Sequence, residues 1–215
     1  MRRSFARIVL SCALLGSVVL AARALAADED TQLWLYFDAV VPAGKHAAAT
    51  FELSPRFRQS GDQWLTRATI DFKLAPNVSL GGGAAYVGYS GGHEFRTIQQ
   101  LTAGLGALSS KTRIEERFFT GAPRMQLRLR EKVQLSEPLT KTTRLIGAAE
   151  LLYIARTETP ADAPHVDSWR FTAAVQHRFS KRIDGTLGYL LIYTPRDGQP
   201  DKVSHVPQIT LTARL

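Results

Sequence analysis

The sequence predicts an all-β protein, an antiparallel up-and-down transmembrane β-barrel of 10–12 strands that follows a cleaved signal peptide. Three observations predict it. Segments of about ten residues alternate between apolar and polar side chains, the two-residue period of a strand and not the 3.6-residue period of a helix. Proline and glycine punctuate the chain about every 10–20 residues, the spacing of strands and turns. The chain also opens on an export signal.

Arg2, Arg3 and Arg7 precede an uncharged apolar stretch from Ile8 to Ala22, and Ala24-Leu25-Ala26 supplies the small-x-small pattern that signal peptidase cuts. That stretch is shorter than the roughly 20 residues of a spanning helix, and the acidic run Ala27-Asp28-Glu29-Asp30 follows at once. The expected division is a leader over residues 1–26 and one domain over residues 27–215. Cys12 is the only cysteine and falls in the leader, so the domain is expected to have no thiol, disulfide or cysteine metal site. The formal charge of +8 shrinks likewise. Without the four leader arginines, 23 basic residues face 19 acidic ones, a balance of +4. That is too mild, and the residues too dispersed, for nucleic-acid binding.

Eleven segments then read as strands, in order. Residues 32–40 open the series and Ala47–Arg58 follow. Over residues 64–74, Trp64, Ala68, Ile70, Phe72 and Leu74 share one face, and Arg67, Thr69, Asp71 and Lys73 share the other. Val78–Tyr89 contain Gly81-Gly82-Gly83. No helix follows these glycines to build a phosphate site, so they are read as allowing tight curvature. Residues 95–107 and 112–119 come next. Residues 124–135 alternate most clearly: every even position is basic or amide, and every odd one but Glu131 is apolar. Residues 144–156 follow. In residues 169–179, Trp169, Phe171, Ala173, Val175 and Phe179 oppose Arg170, Thr172, Ala174, Gln176 and Arg178. Ile183–Thr194 and residues 206–215 complete the set. Bacterial outer-membrane barrels normally have an even number of strands. One segment is therefore expected to be a lead-in, giving ten, or one strand to be missing from the count, giving 12.

Alternation alone does not say which face is wet, because soluble and membrane barrels are inside-out versions of each other. Three features favour lipid outside. The segments are long compared with the roughly 5–6 residues of ordinary strands. Aromatic residues lie near segment ends, as interfacial girdles do: Trp34, Tyr36, Trp64, Tyr86, Tyr89, Phe118, Phe119, Tyr153, Trp169, Phe179, Tyr189 and Tyr193. The polar face is also dense in opposite charges at fixed parity, which suits a narrow lumen.

That charged set is Glu52, Arg56, Arg58, Arg67, Asp71, Glu94, Arg96, Arg113, Glu115, Arg117, Arg124, Arg128, Arg130, Glu150, Arg170 and Arg178. Arginine suits such a network because its planar fork binds carboxylates bidentately. The set reads either as a pore lining biased toward anions or as a salt-bridged plug. The plug is favoured by size, since open porin channels take about 16–18 strands.

No metal spacing links His46, His93, His165, His177 and His205, and no cofactor is expected. A lipid hydrolase or acyltransferase would need a Ser/His pair. Ser204 with His205 and Ser90 with His93 are the candidates, but neither has a visible third member. An enzyme is not expected.

Trp34, Arg56-Phe57-Arg58, Glu94-Phe95-Arg96 with Gln99-Gln100, the run from Arg113 to Phe118, Glu150, Arg170 and Gly188-Tyr189 carry one further reading. In their order and spacing the chain resembles an uncharacterised bacterial family, domain of unknown function 2490. The resemblance covers most of the domain and implies an outer-membrane barrel without implying a substrate. The usual terminal aromatic is replaced by Leu215, although Ile209, Leu211, Ala213 and Leu215 keep the alternation. The expectation is an outer-membrane barrel of structural or narrow-pore type. Its expected partners are outer-membrane lipid and the barrel-assembly machinery, with a small solute or lipid open. The longest loops, over 157–167 and 195–204, are expected outside. A soluble periplasmic barrel holding an apolar ligand is the alternative.

Overall fold

A computed structural model describes residues 27–215; the leader expected over residues 1–26 lies outside the described residues. All eleven expected segments are strands: β1 (Asp28–Pro42), β2 (Ala47–Arg58), β3 (Gln63–Ala75), β4 (Val78–Tyr89), β5 (Gly92–Leu105), β6 (Leu108–Phe119), β7 (Gln126–Pro138), β8 (Thr143–Arg156), β9 (His165–Arg178), β10 (Ile183–Thr194) and β11 (Lys202–Arg214). The shortest have 12 residues and β1 has 15, more than twice the roughly 5–6 typical of globular sheets.

Each strand pairs antiparallel with its neighbours in sequence, and β1 closes the barrel against β11. This last ladder is parallel, with Asp28 beside Lys202 and Val40 beside Arg214. The expected even count of ten or 12 is thereby corrected. With eleven strands the first and last run in the same direction, and a parallel ladder satisfies both edges.

The connections sort by end. One end carries residues 43–46, 76–77, 106–107, 139–142 and 179–182; the other carries 59–62, 90–91, 120–125, 157–164 and 195–201. The two loops expected to be longest do share this second, long-loop end. They are shorter than expected because β9 begins at His165 and β11 at Lys202. The two-residue turns at 90–91 and 106–107 need a positive φ, which Gly91 (89°) and Gly106 (63°) supply. In β4, a Cβ on Gly83 would collide with the Ala68 carbonyl oxygen, and one on Gly82 would stand 2.8 Å from that of Ile98. The glycine run thus lets neighbouring backbones approach closely.

Side-chain polarity is inverted relative to a water-soluble barrel. The outward positions form an exposed apolar belt that includes Phe51, Phe72, Leu80, Leu101, Ile114, Leu129, Val175, Leu187, Ile209 and Leu211. Trp64, Tyr86, Phe118, Tyr153, Trp169, Phe179 and Tyr189 join it. Of the other five expected girdle aromatics, Tyr89 is half-buried, Tyr193 is buried with its hydroxyl donating to Asp201, and Trp34, Tyr36 and Phe119 stand on the inward face. Trp34 and Tyr36 pack together inside the barrel, against Leu190, Ile192 and Val206. Phe119 stands on the inward face beside Glu94, under the Arg117 guanidinium. Parity decides these cases, since Trp34 and Tyr36 share a face with Asp30, Gln32 and Asp38. The belt is interrupted on β6 and β7, where two carboxylates face outward. Glu116 accepts a hydrogen bond from Thr97 (2.7 Å), and Glu131 accepts two, from Ser110 (2.5 Å) and Thr112 (2.6 Å).

Candidate functional site

The inward face is organised around two glutamates. Glu94 on β5 is clamped by two guanidiniums: Arg96 donates to it at 2.5 and 2.8 Å, and Arg117 at 2.5 and 3.0 Å. Two-residue spacing places Arg96 on the same face as Glu94, and register sets Arg117 directly opposite Arg96. Glu115 on β6 is the second hub. Arg128, its register partner on β7, donates to Oε2 at 2.8 and 2.5 Å, and Arg130 donates to Oε1 at 2.8 Å. Arg113 stands 3.6 Å away. Arg130 then reaches Glu150 on β8 at 3.0 and 2.7 Å. Both hubs are only 1 % exposed, so these are desolvated pairs in which every carboxylate oxygen meets a donor.

Other members of the expected set extend the network. Arg67 on β3 pairs with Glu52 on β2. Gln100 donates to Asp71 at 2.7 Å and accepts from Arg113 at 2.8 Å, linking an acid to a base through an amide. Arg58 sits at the long-loop rim and donates to the Gly61 carbonyl (3.0 Å). Arg178 sits at the opposite rim, 3.5 Å from Asp184. Arg124 departs from expectation. It precedes β7 and ties the 120–125 loop to the 157–164 loop by donating to the carbonyls of Thr157 (2.7 Å) and Thr159 (3.2 Å). Polar–apolar alternation ran past the true start of the strand.

Arg56 and Arg170 share one aromatic neighbour. Their guanidinium carbons lie 4.1 and 5.8 Å from the centroid of the Trp34 ring. Arg56 donates only to uncharged groups, Ser54 and Gln63. Sequence reasoning missed several inward groups: Lys111 and Lys132, Asp30 with Lys202 (3.0 Å), Asp184 with Arg214, and Trp34 itself. Parity within each strand was the signal that could have found them.

Between these groups runs a cavity of about 790 Å³. Its lining extends from Ser109, Lys111 and Gln134, toward the short-turn end, past Trp34, Arg56 and Arg170, to Gln32, Arg58 and Gln63 near the long-loop end. The wall around Val87, Glu94, Leu152 and Ile154, by contrast, is packed shut. Twelve basic and four acidic residues line the cavity, so its surface is cationic even after the ion pairs are counted.

Ser204 and His205 are not brought together. Ser204 turns inward to Asp30 (3.3 Å), whereas His205 turns outward to the Tyr189 hydroxyl. The His93 ring stacks on Tyr86 at 5.5 Å, while Ser90 lies in the two-residue turn just before β5. Among the described residues no group of three or more His, Cys, Asp or Glu is arranged to hold a metal ion.

A closed, mostly antiparallel barrel with its charges inside and its apolar side chains outside is the class that this fold and this lumen define. The chain belongs to the family described as "Protein of unknown function (DUF2490)", which matches it over residues 31–203. The resemblance carried by Trp34, Arg56, Glu94, Arg113 and Arg170 is thereby borne out. Among curated proteins, none matches the sequence.

Proposed function

We propose that this protein is an outer-membrane β-barrel whose strands cross lipid and whose lumen is a narrow, arginine-lined passage braced by buried ion pairs. One observation carries the reading. Outward side chains such as Phe72, Leu80, Leu187 and Leu211 are exposed, while Glu94, Glu115, Arg96 and Arg128 are buried inside. In water this arrangement is wrong on both faces. An apolar belt of this extent is far larger than soluble surfaces carry, and buried charges cost several kcal/mol per ion, about the scale of a whole domain's stability. In a bilayer the belt is solvated by lipid, and a polar interior is the normal arrangement.

A soluble barrel that binds an apolar ligand fits less well. The cavity is lined chiefly by guanidiniums, ammoniums and amides, with Trp34, Leu65, Leu190 and Ile192 as its few large apolar side chains. We read the role as structural or as narrow conduction, without catalysis, because Ser204 and His205 face apart and neither Ser/His pair has a visible third member. Export by the leader, insertion by the barrel-assembly machinery and contact with outer-membrane lipid belong to the same proposal.

The test is fractionation followed by gel mobility in mild detergent. The expected result is recovery in the outer membrane, with a fast-migrating unheated form that slows on boiling. Recovery in the soluble periplasm with no mobility shift would overturn the reading.

A further inference from the structure

The packing of cations against cations inside the barrel asks for something the chain does not provide. Register sets Lys111 on β6 directly opposite Lys132 on β7, and the next inward row sets Arg113 opposite Arg130. Like charges facing across a ladder destabilise a sheet. The arginine row is compensated, because Glu115 and Glu150 take up Arg130 and Gln100 accepts from Arg113. Neither lysine makes an ion pair within 4 Å among the described residues, although Glu150 on β8, held by Arg130, is the other register partner of Lys132. Arg170 lies in the same hydrogen-bonded row, through Glu150, and its Nε is shielded from the surroundings without an acceptor. Arg56 shares the Trp34 ring with it.

From these observations we infer that the lumen holds a binding site for a phosphate-type oxyanion of at least two negative charges, between Lys111 and Lys132 on one side and Arg170 and Arg56 on the other. None of the acids in view pairs with either lysine. Glu150 is engaged by Arg130 at 2.7 Å, Glu52 by Arg67, and Asp167 stands 3.7 Å from Arg128; Asp38 faces the same space from β1. The two guanidinium carbons share one ring, so they are at most about 10 Å apart, the sum of their two distances to its centroid. Guanidiniums bind phosphate oxygens bidentately, and a lysine supplies a point charge. Trp34, backed by Leu190, Ile192 and Val206, forms a low-dielectric wall that strengthens the local field. This inference rests on the lumen being charged and enclosed, and it holds whether the outer face meets lipid or water.

The test uses the full chain refolded in detergent micelles. Trp64→Phe and Trp169→Phe remove the two outward indoles, so that Trp34 alone reports. Pyrophosphate is expected to change its emission saturably. Sodium chloride at equal ionic strength should not, and Lys111→Gln with Lys132→Gln should weaken the half-saturation at least tenfold. Glycerol phosphate in solution and phosphatidic acid in the micelle then separate the sources. A response to the first assigns a soluble solute, and a response to the second alone assigns a lipid headgroup. The proposal falls if none of the three phosphates acts, if chloride reproduces the change, or if the lysine variant titrates like its parent. Without any anion, that variant should melt no lower than the parent. A large loss of stability would make the lysines structural and overturn the site. Membrane fractionation does not enter this test, so failure here and failure of the outer-membrane reading are told apart.

Discussion

Arg128 on β7 donates both Nε and Nη2 to a single oxygen of Glu115 on β6, at 2.8 and 2.5 Å, while Arg130 takes the other oxygen. One carboxylate therefore binds two buried guanidiniums and stands 3.6 Å from a third, that of Arg113. Replacing Glu115 by Gln keeps the shape and removes the charge. The expected cost is about 3–5 kcal/mol, as for breaking a buried pair by removing one partner. Denaturant unfolding in micelles measures it. Arg178→Gln at the half-exposed short-turn rim is the control, with an expected change of about 1 kcal/mol or less. Equal effects of the two changes would refute a hub at Glu115.

Leu187, in the middle of β10, is 68 % exposed and faces outward between Val175 and Ile209. If that face meets acyl chains, Leu187→Arg should cost about 2–4 kcal/mol in lipid vesicles, the penalty for arginine near a bilayer midplane. On a face wetted by water the same change would be neutral and would improve solubility. Reversible urea unfolding from vesicles decides between the two.

Gly83 and Gly147 offer a matched pair. A Cβ on Gly83 would meet the backbone of β3, whereas one on Gly147 would meet nothing within 4 Å. Gly83→Ala should destabilise by about 1–3 kcal/mol, in the range of overpacking. Gly147→Ala should be neutral, or stabilise by up to about 1 kcal/mol because alanine restricts the unfolded chain. A reversed order in thermal melts would rule out close backbone approach as the reason for the glycine run.

The parallel seam is directly testable because Cys12 is the chain's only cysteine. Leu35 on β1 and Ile209 on β11 are register partners with outward side chains. Cysteines placed at both positions, in a chain carrying Cys12→Ser, should be joined by a short thiol crosslinker in the folded protein and not in urea. A cysteine at Leu35 paired with one at Leu145 on β8 should stay unjoined. A barrel closed by ten strands, with β1 outside the sheet, would give no seam product.

Much of this architecture was legible in the sequence. All eleven strands were, because alternation is written into each segment by its own side chains. Arg128, Arg130, Arg96 and Glu115 were placed on the polar face by parity alone. Arg124 misled because it keeps the parity of β7 while lying in the loop before it. Trp34, Tyr36 and Phe119 misled because an aromatic near a strand end looks like part of a girdle until its face is checked. Lys111 and Lys132 were overlooked although Lys132 shares the parity of Arg130.

The sequence by itself determined the strands, their length and the two chemically opposite faces, since a two-residue period needs only neighbours in the chain. Only the tertiary structure decided that eleven strands close through a parallel seam, which residues Glu94 and Glu115 bind, and which cations are left to face one another. Each of these depends on register between strands, in the seam's case between β1 and β11 at opposite ends of the chain. Slipping a strand by one residue reverses every side chain on it, so pairing is settled by the closed sheet as a whole and by no single segment.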